Sequence, residues 1–122
     1  MQLFSWDSVK KEMLSEGLGR KVINGEKVTL AQIFLAKGAV IPKHHHESEE
    51  MGCQLEGTAR VELEGKEVVV HKNEVMHVPS DVPHSVVALE DCVMLYVFGP
   101  IRQDWVDGKD DYLRLSSVGG VS

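Results

Sequence analysis

Short stretches in which apolar and polar residues alternate follow one another along most of the chain and predict strands. Residues 60–64 place Val61 and Leu63 on one face, and the turn after them leads into residues 67–71. This pair predicts a hairpin with one solvated face. Residues 21–23 and 28–36 flank Asn24-Gly25, a dipeptide typical of tight turns, and predict a second hairpin.

Further strands are predicted after the histidine-rich segment. Residues 51–55, 75–78 and 85–89 are short and mostly apolar, and residues 92–98 are apolar on both faces, which predicts a strand covered on both sides. Eight or more short strands separated by Gly, Asn and Pro predict an all-β barrel or a double-sheet jelly roll. The opposite face of the 51–55 strand carries Met51, Cys53 and Leu55 and also needs cover, either from the N-terminal arm or from a second subunit.

The two ends of the chain give weaker patterns. Near the start, Ser5 or Asp7 is a candidate cap for a short helix through Val9 and Met13, and two aromatic residues are candidate anchors for an arm on the barrel. Residues 99–114 predict a loop with a helical turn packed on the barrel, and the tail at 118–122 has little to hold it. The aromatic residues in question are Phe4 and Trp6 at the start and Trp105 and Tyr112 near the end.

Composition narrows the function. The 122 residues are enough for one domain, spanning 1–122, and the net charge of −6 argues against a nucleic-acid-binding surface. No apolar run near 18 residues and no signal-peptide pattern are evident, so we expect a cytoplasmic protein without membrane contact. Cys53 and Cys92 are expected to be reduced.

Two polar motifs carry the chemistry. His44, His46 and Glu50 lie between Gly38 and Gly57, and His84 follows in a second motif with two prolines. Alternation on a strand points His44 and His46 to the same side and His45 to the other. Three imidazoles and a carboxylate suit a divalent transition metal. Taken singly, the first motif also fits a solvated loop, and Pro83-His84 fits a turn with a structural histidine.

Together the two motifs resemble those of the cupin superfamily, and the first matches at each of its named positions. The second departs from it at Asn73, Asp81 and Ala88, of which the first two tolerate the left-handed backbone that a turn requires. The resemblance covers about residues 18–112. It implies a cupin-like double-stranded β-helix or jelly-roll barrel with a short N-terminal arm and a C-terminal extension, one divalent metal ion per chain (Fe, Mn, Ni or Zn) and a homodimer.

Residues 96–104 are also similar to a segment of the small pectin-degradation cupins that linearise unsaturated uronates. In that group an Asp, a Phe and an Arg of this segment face the metal. Phe98 and Arg102 match, whereas Tyr96 replaces the Asp, and Glu50 stands where that group tends to carry Gln. A phenol with a pKa near 10 is a poor base at neutral pH, so the same proton transfer is not assured.

The remaining pocket candidates each have two interpretations. Arg102 either grips a carboxylate or pairs on the surface with Asp104 or Asp107. Gln54 is either a substrate-binding residue or a core amide satisfied by backbone. His77 is either a catalytic donor or base, or a structural histidine. We treat Arg102, Tyr96 and His77 as candidate catalytic residues, Gln54, Phe98 and Arg102 as candidate substrate-binding residues, and His45 and His71 as surface or packing residues.

Three functions fit these residues. The first is a metal-dependent isomerase, tautomerase or lyase in carbohydrate metabolism, acting on a sugar acid or a similar oxygen-rich compound. The second is an iron-dependent dioxygenase. The third is a non-catalytic module that binds a small molecule such as a sugar. The fold alone does not choose among them, because it supports many chemistries.

Overall fold

The computed structural model describes residues 1–115, without the side chain of Leu115. One turn of 3-10 helix, Trp6–Ser8, precedes ten strands and two short helices. The strands are β1 (Glu12–Ser15), β2 (Leu18–Asn24), β3 (Thr29–Leu35), β4 (Val40–His44), β5 (Glu49–Glu56), β6 (Ala59–Leu63), β7 (Lys66–Val70), β8 (Val75–Val78), β9 (His84–Ala88) and β10 (Cys92–Gly99), followed by α1 (Gln103–Val106) and α2 (Asp111–Leu115).

The strands form two antiparallel sheets. The larger sheet has the order β1-β2-β3-β10-β5-β8, and the smaller one has the order β4-β9-β6-β7. Apolar residues from both sheets form one core, which includes Ile33 and Met94 from the larger sheet and Val61 and Val86 from the smaller. This two-layer arrangement confirms the all-β jelly-roll prediction. Among residues 1–115 no helix has the length and apolarity needed to span a bilayer.

Both predicted hairpins are present. β2 pairs with β3 from Leu18↔Leu35 to Asn24↔Thr29, and β6 pairs with β7. Four residues, 25–28, connect the strands of the first hairpin, and the Gly25 amide donates to the Val28 carbonyl at 2.8 Å.

The N-terminal prediction is wrong in part. Ser5 does cap the 3-10 turn, through a hydrogen bond from the Asp7 amide, but Met13 lies in β1 and not in a helix. Pairing with the edge of β2 decides its conformation, because strand pairing outweighs a weak local helix preference. Phe4 remains 52% exposed and is not an anchor, whereas the Trp6 carbonyl accepts a hydrogen bond from Lys21.

One half of the outer face of the larger sheet is uncovered. β10 was expected to be covered on both faces, yet Val97 is 37% exposed, and its neighbour across the pair with β5, Met51, is 44% exposed. Val75 of β8 is exposed beside them. The N-terminal arm lies over the other half, where Lys11 sits 4.1 Å from the centre of the Phe34 ring.

Turn residues behave as the sequence suggested. Asn73 and Asp81 adopt φ values of 73° and 61°, in the left-handed region. Gly57 has a φ of 78°, and a Cβ there would collide with the Asp91 carbonyl. Cys53 and Cys92 are free thiols, and the predicted tail at 118–122 lies outside the described residues.

The C-terminal segment packs on the barrel as predicted. Leu113 of α2 is buried in the core, and Asp110, just before α2, is buried as well. The Asp110 carboxylate accepts a hydrogen bond from Arg20 of β2 at 2.6 Å, and Arg114 lies 3.4 Å away. This buried ion pair fixes α2 against the larger sheet and therefore near the end of the barrel that carries the histidines.

Candidate metal centre

Three histidines from the two motifs meet at one end of the smaller sheet. β4 ends at His44 and β9 begins at His84, and the register of the two strands pairs these residues. His46 follows in the loop to β5. The ring centroids are 4.3 Å apart for His44 and His84, 5.0 Å for His46 and His84, and 5.4 Å for His44 and His46. One nitrogen from each ring lies within 4.8 Å of the others.

Backbone carbonyls fix the orientation of all three imidazoles. Each Nδ1 lies within hydrogen-bond distance of a carbonyl two residues away in sequence, and because a carbonyl only accepts, Nδ1 is the donor. This leaves each Nε2 for a ligand, which is the arrangement common around protein-bound metals. The partners are Pro42 for His44 at 2.7 Å, Ser48 for His46 at 2.8 Å and Val82 for His84 at 2.8 Å.

Glu50 lies beside this triad on β5. Its Oε1 is 3.0 Å from Nε2 of His46 and 3.3 Å from Nε2 of His84. Burial opposes ionisation of Glu50, but hydrogen bonds from the two histidines outweigh it and lower the pKa to about 2. Glu50 is therefore a carboxylate at neutral pH, and it faces the same two nitrogens that a metal would use.

The residues present fit a divalent transition metal. Burial, followed by repulsion from His84, lowers the pKa of His44 to about 3, so its imidazole is neutral and can donate a lone pair. Burial also disfavours charged His84, yet its hydrogen bond and attraction to Glu50 outweigh burial and raise its pKa. Without a metal ion, a proton shared between His84 and Glu50 holds these two side chains together, and a bound cation would replace that proton. The triad can bind a metal ion, and Glu50 remains the predicted fourth ligand.

A cavity of about 30 Å³ adjoins the triad, with room for only a water molecule or two. Aromatic and apolar side chains form most of its wall, and Glu50 and Arg102 are the charged residues among them apart from the histidines. The residues that line it are Leu18, Ile33, Ile41, His44, Glu50, His84, Val86, Tyr96, Phe98, Arg102, Trp105, Tyr112 and Leu113.

Arg102 combines features of both sequence interpretations. It is paired with Asp104, to which Nε donates at 3.0 Å and Nη2 at 2.7 Å, yet it is only 1% exposed and is not a surface residue. Its guanidinium lies 4.7 Å from the Phe98 ring centre and 4.2 Å from that of Trp105. Burial opposes its charge, but Asp104 outweighs burial and raises the pKa of Arg102, so the guanidinium stays charged beside the cavity.

Tyr96 lines the same cavity and stacks on Phe98, with ring centres 5.7 Å apart. Burial, with a smaller contribution from Glu50, raises the pKa of its phenol, so Tyr96 is a neutral hydroxyl group and not a base. Gly52, opposite Tyr96 in the β5–β10 pair, makes room for the ring. A Cβ at Gly52 would lie 2.5 Å from Cε1 of Tyr96.

One predicted pocket residue lies on the outer face of the barrel, and another lines a second small cavity that shares Glu50, His84 and Tyr96 with the first. His77 is on the outer face of β8, 47% exposed and bonded to Glu49 at 2.7 Å, so it does not reach the cavity and we give it no role there. Its neighbour Val78 points inward, as alternation requires. Gln54 is buried, and its amide donates to the Glu56 carbonyl at 3.0 Å. This agrees with the second interpretation, a core amide satisfied by the backbone. His45 and His71 are exposed, as expected.

Two residues of the site were not anticipated from the sequence. Trp105 and Tyr112 were expected only to pack the C-terminal segment, yet both line the cavity. Tyr112 stacks on the imidazole of His44, with centroids 4.5 Å apart and planes 24° apart. Aromatic residues among charges were the available signal, but nothing in a segment without periodicity indicates which surface it crosses.

Residues 31–98 match the family described as Cupin domain, which is more than half of the chain. The chain belongs to the cupin family. Within this cupin, the matched region begins in β3 and ends in β10, and so includes all four predicted metal ligands.

Solved structures agree with this assignment. KdgF from a Halomonas species is 27% identical, with a TM-score of 0.79, over 85% of this cupin and 99% of that chain. An RmlC-like cupin from Shewanella frigidimarina, 24% identical with a TM-score of 0.80 over 86% of this chain and 96% of its own, shares the fold. Oxalate decarboxylase from Bacillus subtilis is 25% identical, with a TM-score of 0.72, over 80% of this chain and 29% of its own.

A curated relative shows a partial match. Mannose-1-phosphate guanylyltransferase from Sinorhizobium fredii is 29% identical over 97 residues, which are 78% of this chain. This cupin spans only 18% of that protein, so the likeness concerns one region of a much longer chain.

Proposed function

We propose that this cupin is a metal-dependent enzyme that acts on a sugar acid or a similar oxygen-rich compound, by isomerisation, tautomerisation or elimination. The observation that carries the proposal is the set of three imidazoles with braced Nε2 atoms beside Glu50, in a cavity that also holds a buried Arg102. KdgF, a pectin-degradation cupin, supports the choice of an acidic sugar.

One divalent ion per chain would be held by His44, His46 and His84, with Glu50 as the fourth ligand. Fe, Mn, Ni and Zn all accept this donor set. The Mn(II) centres of the oxalate decarboxylase from B. subtilis support a metal in a related fold without selecting the ion here. When bound, such an ion polarises a carbonyl or lowers the pKa of a bound water.

The chain's own residues would orient the substrate. Arg102, charged and packed against both Phe98 and Trp105, is suited to bind a carboxylate. Tyr96 can donate a hydrogen bond from its hydroxyl to a substrate oxygen, and Phe98 gives the sugar ring an apolar wall. Glu50 orients His46 and His84 by accepting from their Nε2 atoms before metal binds.

A non-catalytic binding module is the second candidate, and one observation favours it. Among the described residues that line the cavity, Glu50 is the single carboxylate, and it is already engaged by two histidines. Tyr96 is a neutral phenol and His77 lies outside, so the cavity offers no free side-chain base for proton transfer. A binding module needs none.

Turnover of a panel of sugar acids, including unsaturated uronates, tests the proposal, with products identified by NMR on metal-loaded protein. We expect turnover that His46→Ala abolishes and His45→Ala leaves unchanged, because the His45 side chain is exposed and is not part of the triad. Arg102→Lys should mainly raise KM. A ligand that binds and is recovered unchanged would instead support the binding module, and iron-dependent oxygen uptake would support a dioxygenase.

We also propose that the chain forms a homodimer through the uncovered half of the larger sheet, around Met51, Val75 and Val97. Exposed apolar side chains on adjacent strands favour association. Light scattering at micromolar concentration should give twice the chain mass, and Met51→Glu should give the single mass. A monomeric wild-type protein would refute the dimer.

A further inference from the structure

The cavity is too small for the ligand proposed above, and Tyr112 is one of the side chains that line it. Tyr112 covers His44 by stacking on its ring, and its hydroxyl accepts a hydrogen bond from Nη2 of Arg102 at 2.8 Å. We propose that the Tyr112 hydroxyl occupies the place of a ligand carboxylate on Arg102, and that an acidic ligand binds by displacing it.

The donors of Arg102 support this assignment. A guanidinium has five N–H donors, of which Asp104 takes one from Nε and one from Nη2. Tyr112 takes the second donor of Nη2. Without Tyr112, the edge formed by Nη1 and Nη2 matches a carboxylate in the two-pronged geometry that arginine favours. Asp104 can therefore remain in place and orient Arg102 while a ligand binds the other edge.

The available space indicates that Tyr112 must move. A volume of about 30 Å³ holds water but not a six-carbon acid. Tyr112 is only partly buried, so its side chain is partly accessible to solvent. Leu113 and Asp110 on either side are buried, and Asp110 is held by Arg20. The side chain can therefore swing out while α2 stays attached.

Displacement of Tyr112 depends on the ligand. A neutral sugar cannot replace the bond between Arg102 and Tyr112, so we expect it to leave the hydroxyl in place, whereas a carboxylate replaces that bond with two charge-assisted ones. The inference rests on the proposed function only for the acidic character of the ligand, and not on turnover.

Binding of D-galacturonate and of D-galactose to zinc-loaded protein provides the test, measured by calorimetry for wild type, Tyr112→Phe and Arg102→Lys. Tyr112→Phe keeps the ring and removes the competing hydroxyl, so galacturonate should bind about threefold to tenfold more tightly, the equivalent of one hydrogen bond. Affinity for galactose should change less. Arg102→Lys keeps the charge but lacks the two-pronged edge, and should lose most of the preference for the acid.

Tryptophan emission reports the displacement itself. Nε1 of Trp105 lies 3.4 Å from the Tyr112 hydroxyl, and a Trp6→Phe background leaves Trp105 as the single tryptophan. Galacturonate should change its emission in the background protein and change it less when Tyr112→Phe is added.

An unchanged preference for the acid in Tyr112→Phe would overturn the inference, as would a preference that survives Arg102→Lys, or no binding of galacturonate by any of the proteins. If the Tyr112 hydroxyl had only a structural role, Tyr112→Phe would change the stability of the protein and leave the ratio of the two affinities unchanged. A protein that prefers the acid but does not convert it would contradict the proposed enzymatic function, and the proposed role of Tyr112 would still hold.

Discussion

The metal triad and the C-terminal cover over it are built in different ways. The triad depends on local geometry, since each imidazole is braced by a carbonyl two residues away and two of the histidines pair across adjacent strands. The cover, residues 100–115, depends on contacts between residues far apart in sequence. Arg20 binds Asp110 across 90 positions, and Tyr112 reaches His44 across the mouth of the barrel.

This difference separates two tasks. A locally braced triad tolerates changes in the rest of the chain, and it can hold the same donor set under different covers. We expect the cover to decide which molecules reach the triad, because Arg102, Trp105 and Tyr112 form part of the cavity wall. We therefore expect changes in the cover to alter stability or ligand choice without removing the metal. Changes in the triad should remove the metal and leave the cover in place.

The largest expected effect comes from detaching the cover. Asp110→Asn removes the buried carboxylate partner of Arg20, which keeps only the partly exposed Glu12 at 3.2 Å, and breaking such a pair costs up to about 3 kcal/mol of unfolding free energy. Asp111→Asn, at an exposed neighbouring position, should cost little. Chemical denaturation measures both. Metal content of Asp110→Asn should equal that of wild type, and its loss would show that the cover and the triad are not independent.

A smaller loss of stability is expected from a substitution at Gly52 of β5. Gly52→Ala pushes a methyl group against the Tyr96 ring, and overpacking of this kind costs about 1–3 kcal/mol. Gly25→Ala is the matched control, because a Cβ there meets its neighbours at ordinary distances of 3.5 Å or more. Combining Gly52→Ala with Tyr96→Leu should recover part of the loss in a double-mutant cycle. An additive double variant would refute the contact.

The smallest expected effect is a change of stability at low pH. Burial opposes ionisation of Asp110, but the hydrogen bond and charge of Arg20 outweigh it and lower the pKa below its ordinary 3.8. A carboxyl group with a depressed folded pKa stabilises the protein above its unfolded pKa, and the contribution is lost as pH falls through the folded value. The stability difference between wild type and Asp110→Asn should therefore shrink below about pH 4. Thermal melts from pH 7 to pH 3 measure it, and a constant difference would contradict the assignment.

The same contrast explains what the sequence could reveal. The predicted grouping of His44 and His46 without His45 is confirmed, although β4 ends at His44 and the other two lie in the loop, and turn chemistry was enough to anticipate the backbone at Asn73 and Asp81. These features depend on a few neighbouring residues.

Long-range packing could not be read in this way. Met13 joins β1 because the edge of β2 is available to it, and His77 faces outward because of the register of β8 against β5. The contact between Arg102 and Tyr112 depends on the path of a segment with no periodic pattern. Sequence reasoning identified Arg102 but not the residue that competes for it.

Metal content tests the central claim most directly. Wild type, His44→Ala/His46→Ala and the matched control His45→Ala/His71→Ala would be purified without nickel resin, reconstituted with Fe, Mn, Ni or Zn, and analysed by mass spectrometry. The account predicts close to one ion per chain in wild type and control, and almost none in the His44/His46 variant. Equal metal in all three proteins, or none in wild type after reconstitution, would contradict it.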